Sequence, residues 1–383
     1  PFESVQEATI VVQRRQDCVD ILWLSRERVP VAEAIGLQVA PFDSTAIDKQ
    51  NVRATSRSVS ASVDLPASPY FELCWQKRTR PQGCGQFFRS PRNVSDVAGA
   101  FIEELFSSSS FKEYETQVAC WNDRAKRYFE MAVANVAESS WVEPYGALRE
   151  RAKAYSESKS TRAVPDKTSQ FEPAPEDQLV DRVGSQLMEI VAGEKDAMSV
   201  LFPEGSTSLL AELYESSPTG TLINSVVSQV LRTVFESKPN RPLRVLEVGA
   251  GTGGTTSHVI EELQNAGVDF EYHFTDVSRL LLNQAEQRFT HEDLKLKYSS
   301  LDIEESPATQ GFENADFDLV IAANVVHATR SVNESLQHVR QLLADDGLLL
   351  LVETTTREPW LDLVFGVTDG WWRFKDHELR PDH

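Results

Sequence analysis

Four glycines fall within six residues in Gly249-Ala250-Gly251-Thr252-Gly253-Gly254, directly after an apolar run of Val245, Leu246 and Val248. Glycine has no Cβ, so it adopts positive φ without penalty and lets the backbone approach a ligand closely. The amphipathic stretch that follows reads as a helix that Gly267 can end. The N-terminus of that helix presents backbone N–H groups with no partner inside the helix. Strand, tight turn and helix in this order form the first unit of a doubly wound α/β sheet, and such a turn holds a nucleotide-like ligand.

Two spacings overlap in the turn. Gly249, Gly251 and Gly254 satisfy the G-x-G-x-x-G pattern of dinucleotide binders. Glu247, Gly249, Gly251 and Gly253 satisfy the E-x-G-x-G-x-G pattern of S-adenosylmethionine (SAM) binders. Glu247 favours the second, because it puts a carboxylate on the strand end, close to where a cationic ligand would lie.

In open α/β sheets the ligand sits beyond the C-terminal ends of the strands. The second strand ends at Asp276, whose carboxylate can accept both hydroxyls of a ribose. Beyond the third lies Asp302, which can accept from the exocyclic amine of adenine, with Ile303 beside the ring. The fourth runs into Asn324-Val325-Val326-His327 and the fifth into Glu353-Thr354-Thr355. In the strand order 3-2-1-4-5 these last two are neighbours. His327 and Glu353 then project at one edge. A histidine whose second ring nitrogen is held by a carboxylate is a competent general base. The other six histidines have no such arrangement. There is no G-x-S-x-G nucleophile elbow, no Walker A lysine and no clustered His/Cys spacing. A hydrolase, an NTPase and a metal centre are therefore not expected.

The elements that must position these residues alternate regularly from residue 243 onward. Strands are expected over 244–248, 271–277, 295–303, 317–326 and 347–355, and helices over 255–266, 278–289 and 331–344. Upstream, helical periodicity covers 96–106, 111–138, 145–156, 178–194, 208–217 and 221–237. The segments 8–13, 20–24 and 71–76 read as short strands. Residues 41–70 and 156–177 read as linkers. The expected organisation is a mixed, then mostly helical region over 1–165, a helical segment over 172–242 that covers the site, and a sheet core over 243–383. Only 30 residues follow Glu353. That is too few for a further antiparallel strand pair, so the core is expected to be cut short and one sheet edge exposed.

With 383 residues, 41% hydrophobic and 25% charged, the chain has an ordinary globular composition and room for more than one domain. No apolar run approaches the ~18 residues of a membrane span. The net charge of −20 argues against nucleic acid as a partner. Cys18, Cys74, Cys84 and Cys120 show no metal spacing and read as reduced thiols of a cytoplasmic protein. The chain begins at Pro1 without Met and reads as part of a longer one.

EVGAGTGGTT (247–256), FTDVS (274–278), LDIE (301–304), NVVHAT (324–329), LLLVETT (349–355) and FGVTDGWW (365–372) occur in this order. Upstream stand LLAELYESSP (209–218) and INSVVSQVLR (223–232). Over about 172–376 the chain resembles the C-methyltransferase domain of fungal non-reducing polyketide synthases. The resemblance implies a Rossmann-like class I methyltransferase core, with SAM as cofactor and a helical N-terminal lid. It implies methyl transfer to the α-carbon of a β-ketoacyl thioester on an acyl carrier protein, beside other synthase domains. It makes His327 the base, paired with Glu353, and adds Asn324 to the cofactor-facing residues. Tyr214 is then a candidate donor to the enolate oxygen, and Trp371 and Trp372 are candidate walls of the substrate pocket. Three alternatives stay open: an O- or N-methyltransferase using the same SAM site, an NAD(P)-dependent reductase, and a non-catalytic scaffold.

Overall fold

The computed structural model describes residues 8–15, 18–24, 30–37, 101, 103–157, 173–234, 241–289, 294–354, 357–377 and 379–380. The core strands are β4 (Leu243–Val248), β5 (Phe270–Asp276), β6 (Leu296–Ser300), β7 (Phe317–Ala323) and β8 (Leu343–Glu353). All pair in parallel, in the spatial order β8-β7-β4-β5-β6. In chain order this is the expected 3-2-1-4-5.

The central strands are apolar on both faces because both faces are covered. Val245, Leu319, Ile321, Leu348 and Leu350 join one core. It is completed by helices α7 (Pro218–Val234), α8 (Gly254–Asn265) and α9 (Arg279–Arg288). Leu246, Val248, Val320, Ala322, Leu349 and Leu351 join the other, against Val339 and Leu342 of α10 (Val332–Leu342). The alternation follows from the two-residue period of a strand.

A third core is helical. It unites α1 (Ser109–Asn135), α2 (Gly146–Glu157), α3 (Pro175–Gly184), α4 (Leu187–Val191), α5 (Ala197–Leu201) and α6 (Ser208–Glu215). Residues after β8 return to it: Trp360, Leu363 and Val364 of α11 (Pro359–Val364) are buried among these helices. Trp360 meets Trp121 of α1 edge to face, with ring centroids 5.7 Å apart.

Several expectations change. The single helix over 178–194 is two, α3 and α4; the ring of Tyr128 lies where a Cβ on Gly184 would be, 2.1 Å away. The third core strand ends at Ser300, so Asp302 and Ile303 follow it in a turn. The sheet edge at β8 is not exposed. β1 (Ala8–Arg15) pairs antiparallel with it, from Ala8 opposite Glu353 to Gln13 opposite Leu348. β2 (Cys18–Leu24) and β3 (Pro30–Leu37) continue the sheet antiparallel. Two of these strands match the apolar segments at 8–13 and 20–24; the third has no clear alternation. Residues 71–76, read as a strand, lie outside the described residues, as do 41–70 and most of the linker at 156–177.

Candidate active site

The glycine turn connects β4 to α8. Gly249 has φ 58° and a Cβ there would stand 2.6 Å from Val325 Cγ2, so this position tolerates only glycine. Gly254 opens α8, and its Cβ would lie 2.8 Å from the carbonyl oxygen of Tyr214. The end of α6 therefore rests directly on the start of α8. Asn224 of α7 fixes the same carbonyl through Nδ2 at 2.8 Å. By these contacts Tyr214 is held against the turn.

Glu247 is 2% exposed. Its Oε2 accepts from Thr256 Oγ1 and from the Tyr272 hydroxyl, both at 2.6 Å. Burial pushes its carboxyl up to about 7. One oxygen is thus committed to tying β4 to α8 and β5, although the residue also lines the cavity below. Asp276 closes over the turn as well: its Oδ2 accepts from Gly251 N–H at 3.0 Å and its Oδ1 from Ser278 N–H at 2.7 Å. Burial raises the pKa of Asp276, against the lowering effect of these bonds.

The registers of β7 and β8 set Ala323 opposite Val352, which brings Asn324 alongside Glu353. Asn324 leaves the sheet with φ 54° and donates its N–H to Val352 O at 2.7 Å. A single 3-10 turn, Val326–Ala328, follows. Glu353 Oε1 accepts the N–H groups of Val325 and Val326, at 2.9 and 2.6 Å. Its Oε2 lies 2.7 Å from His327 Nδ1. Both carboxylate oxygens are occupied, and the ring is oriented through Nδ1. The backbone of this turn is held from behind by Arg380, which donates to His327 O and Thr329 O, each at 2.8 Å. Asp376 in turn pairs with Arg380.

A cavity of about 340 Å³ runs between the turn and the helical layer. On the sheet side it is lined by Glu247, Gly249, Gly251, Asn324 and His327, and on the helical side by Tyr214, Phe111, Tyr114 and Trp360. Burial and the charge of Glu353 push the Tyr214 hydroxyl up to about 12, so it stays a donor at neutral pH. Trp371 also lines the cavity, with its ring 5.6 Å from that of His327. Trp372 does not line it. Its indole N–H binds Gly366 O at 2.8 Å and its ring packs against the helical core. Gly253, Asp276, Asp302 and Ile303 also stand outside the cavity walls. Ile303 is buried in the core behind the sheet, and Asp302 Oδ1 accepts from Glu304 N–H at 2.9 Å.

Sequence reading missed Arg380, Asp362, Tyr155 and the aromatic residues of α1. None sits in a motif or at a strand end, so only their place in space marks them. No group of metal-ligating side chains occurs among the described residues. Nor is any described helix long and apolar enough to cross a membrane.

The profile of the methyltransferase-domain family matches residues 246–349. Over 205 residues the chain is 38% identical to the non-reducing polyketide synthase Preu3 of Preussia isomera, an alignment covering 53% of this chain and 8% of that one. The chain thus spans a small fraction of the length of the curated relatives it matches. The solved CurJ carbon methyltransferase is 34% identical, with a TM-score of 0.66 over 76% of this chain and 86% of that one. The CMeT domain of the citrinin polyketide synthase is 24% identical, with a TM-score of 0.60 over 74% of this chain and 84% of that one, a likeness of fold. Similar to a carbon methyltransferase over nearly all of that protein's length, and to polyketide synthases by sequence, the chain belongs to the SAM-dependent C-methyltransferase domains of polyketide synthases.

Proposed function

We propose that this chain methylates the α-carbon of a β-ketoacyl thioester carried on an acyl carrier protein, with His327 as general base oriented by Glu353. One observation carries the reading: the 2.7 Å contact between His327 Nδ1 and Glu353 Oε2, made at the wall of a cavity that also contains the glycine turn.

The turn fits SAM, because Gly251, at φ 59°, lines the cavity and a Cβ there would meet only Gly249 O, at 3.8 Å, and so project into an open cradle, while the start of α8 has no side-chain cap. Glu247, Gly249, Gly251 and Asn324, which line the cavity, would hold the donor's amino-acid end, whereas Gly253, Asp276, Asp302 and Ile303 stand outside its walls and are given no direct contact with the donor. When bound, SAM supplies an electrophilic methyl group. The chain's own residues handle the proton. A carbon flanked by a ketone and a thioester carbonyl is acidic enough for an imidazole to deprotonate. His327 Nε2 takes that proton while Nδ1–H stays on Glu353, whose charge stabilises the imidazolium. The enolate oxygen needs a donor, and the Tyr214 hydroxyl, on a residue that lines the cavity, is the one we propose. The proton then leaves His327 for solvent. Helices α6 and α7 cover the site, and their aromatic neighbours from α1 keep water from the enolate.

The test is an assay of a β-ketothioester surrogate with SAM, locating the new methyl by NMR. Methyl on the α-carbon is expected, and methyl on oxygen would overturn the reading. In the same assay His327→Ala should remove transfer by about 10²–10⁴-fold while SAM affinity stays within a few fold.

A further inference from the structure

Asp362 is a buried carboxylate that the proton chemistry above does not use. It lies in α11, at the wall of the cavity, and is 4% exposed. A carboxylate this deep stands only when donors meet both oxygens. Trp371 Nε1 donates to Oδ1 at 2.9 Å, and the Tyr155 hydroxyl donates to Oδ2 at 2.6 Å. Arg151 Nε stands 3.6 Å from Oδ2. Tyr155 and Arg151 belong to α2. The one carboxylate therefore joins the helical layer to the loop that carries Trp371.

Trp371 is the end of this chain of contacts that reaches the reacting groups. Its indole has a donor and no acceptor, so Asp362 fixes the direction of the N–H edge. Phe365 stacks on the same indole, with centroids 5.7 Å apart and planes 25° from parallel. Thus held on an edge and a face, the indole meets the His327 ring at 69°. Glu353 holds Nδ1, and the indole packs edge to face against the imidazole, so the two contacts together set the tilt of the ring.

We propose that Asp362 is a positioning residue for methyl transfer: it locks Trp371 against His327 and so keeps Nε2 directed into the cavity. The inference rests on His327 being the base. A tilt that displaces Nε2 by about 1 Å costs on the order of 10²-fold in rate, because proton transfer needs the reacting atoms at near-attack distance.

The experiment is a double-mutant cycle in kcat on the full chain, with SAM affinity by calorimetry and Tm measured for every variant. Trp371→Phe keeps a ring and removes the N–H, and Asp362→Ala removes its acceptor. Each is expected to lower kcat by about 10–100-fold with SAM affinity within about threefold. The double variant is expected to be no slower than the slower single one. Tyr155→Phe removes a donor to the same carboxylate without touching the indole, and is expected to lower kcat by less than Trp371→Phe does. Multiplying losses in the double variant overturn the proposal, as does a Tyr155→Phe loss equal to that of Trp371→Phe. If Asp362→Ala does not fold, Asp362→Asn takes its place in the cycle, and a cost that persists undiminished in the Trp371→Phe background is the overturning result. His327→Ala is run alongside. Its retention of activity defeats the base assignment, whereas an inactive His327→Ala with no Asp362–Trp371 coupling defeats this inference alone.

Discussion

Arg380 donates from Nη1 to the carbonyl oxygen of His327 at 2.8 Å, across 53 residues of chain. A second donation, from Nη2 to Thr329 O, makes the guanidinium the C-terminal cap of the 326–328 turn. A one-turn helix has no length over which to share strain, so its carbonyls need this partner. Arg380→Gln is expected to lower stability by about 1–3 kcal/mol, the worth of hydrogen bonds from a charged donor. It should lower kcat by about tenfold, with SAM affinity unchanged, because the proposed base is loosened and the donor site is not. Urea unfolding and calorimetry check both; an unchanged kcat would count against the clamp.

Glu353→Gln leaves the shape of the site intact and reverses one polarity. The amide oxygen can still accept from Val325 and Val326, which turns the NH₂ toward His327 Nδ1. Nδ1 must then accept, so the ring proton moves to Nε2, the atom proposed to take a proton from the substrate. Transfer is expected to fall by about 10²–10⁴-fold with Tm nearly unchanged. The tautomer change itself is readable from the imidazole nitrogen shifts in NMR.

Glu247 links folding to pH. Its carboxyl, at 4.5 ordinarily, is raised to about 7 by burial. Between those values the folded chain binds a proton that the unfolded chain does not, so this group's contribution to stability falls as pH rises through the window. Glu247→Gln cannot ionise and removes that slope. Between about pH 5 and about pH 8 the wild type should lose more stability than the variant in urea unfolding. Equal slopes would show that Glu247 ionises freely in the folded chain.

Gly249→Ala tests the cradle. The new methyl group meets Val325 at 2.6 Å and is attached to a backbone at φ 58°. Strain of about 1–3 kcal/mol is expected. Relief by movement of Val325 would shift the loop that carries His327. SAM affinity should drop by about tenfold or more, measured by calorimetry. Wild-type affinity in this variant would mean that the turn does not approach the donor closely.

The local elements around the site were legible because their causes are local. Glycines in the β4–α8 turn declare positive φ, apolar runs declare strands buried on both faces, and right-handed crossovers restrict the order of a parallel sheet. From that order alone, His327 and Glu353 fall at one edge, 26 residues apart in the chain and 2.7 Å apart in space. Glu247 shows where such reasoning stops. Its position at the strand end was legible, but one oxygen is taken by Thr256 and Tyr272, partners that only packing brings to it.

Tertiary structure alone decided the rest. Asp362 meets Tyr155 across 207 residues, and Asn122 donates to Glu358 across 236. Arg380 reaches back to the turn of His327, and Ala8 of β1 lies beside Glu353 of β8. Polar partners of this kind carry no periodicity and no spacing rule. A buried carboxylate or a short turn requires donors or acceptors somewhere, and the chain that supplies them is whichever segment the three packed cores bring within reach. What the sequence by itself determined is therefore the cradle and the adjacency of histidine and glutamate. What holds that histidine still was decided by folding, because hydrogen-bond demand is fixed by residue type while its satisfaction depends on neighbours far away in the chain.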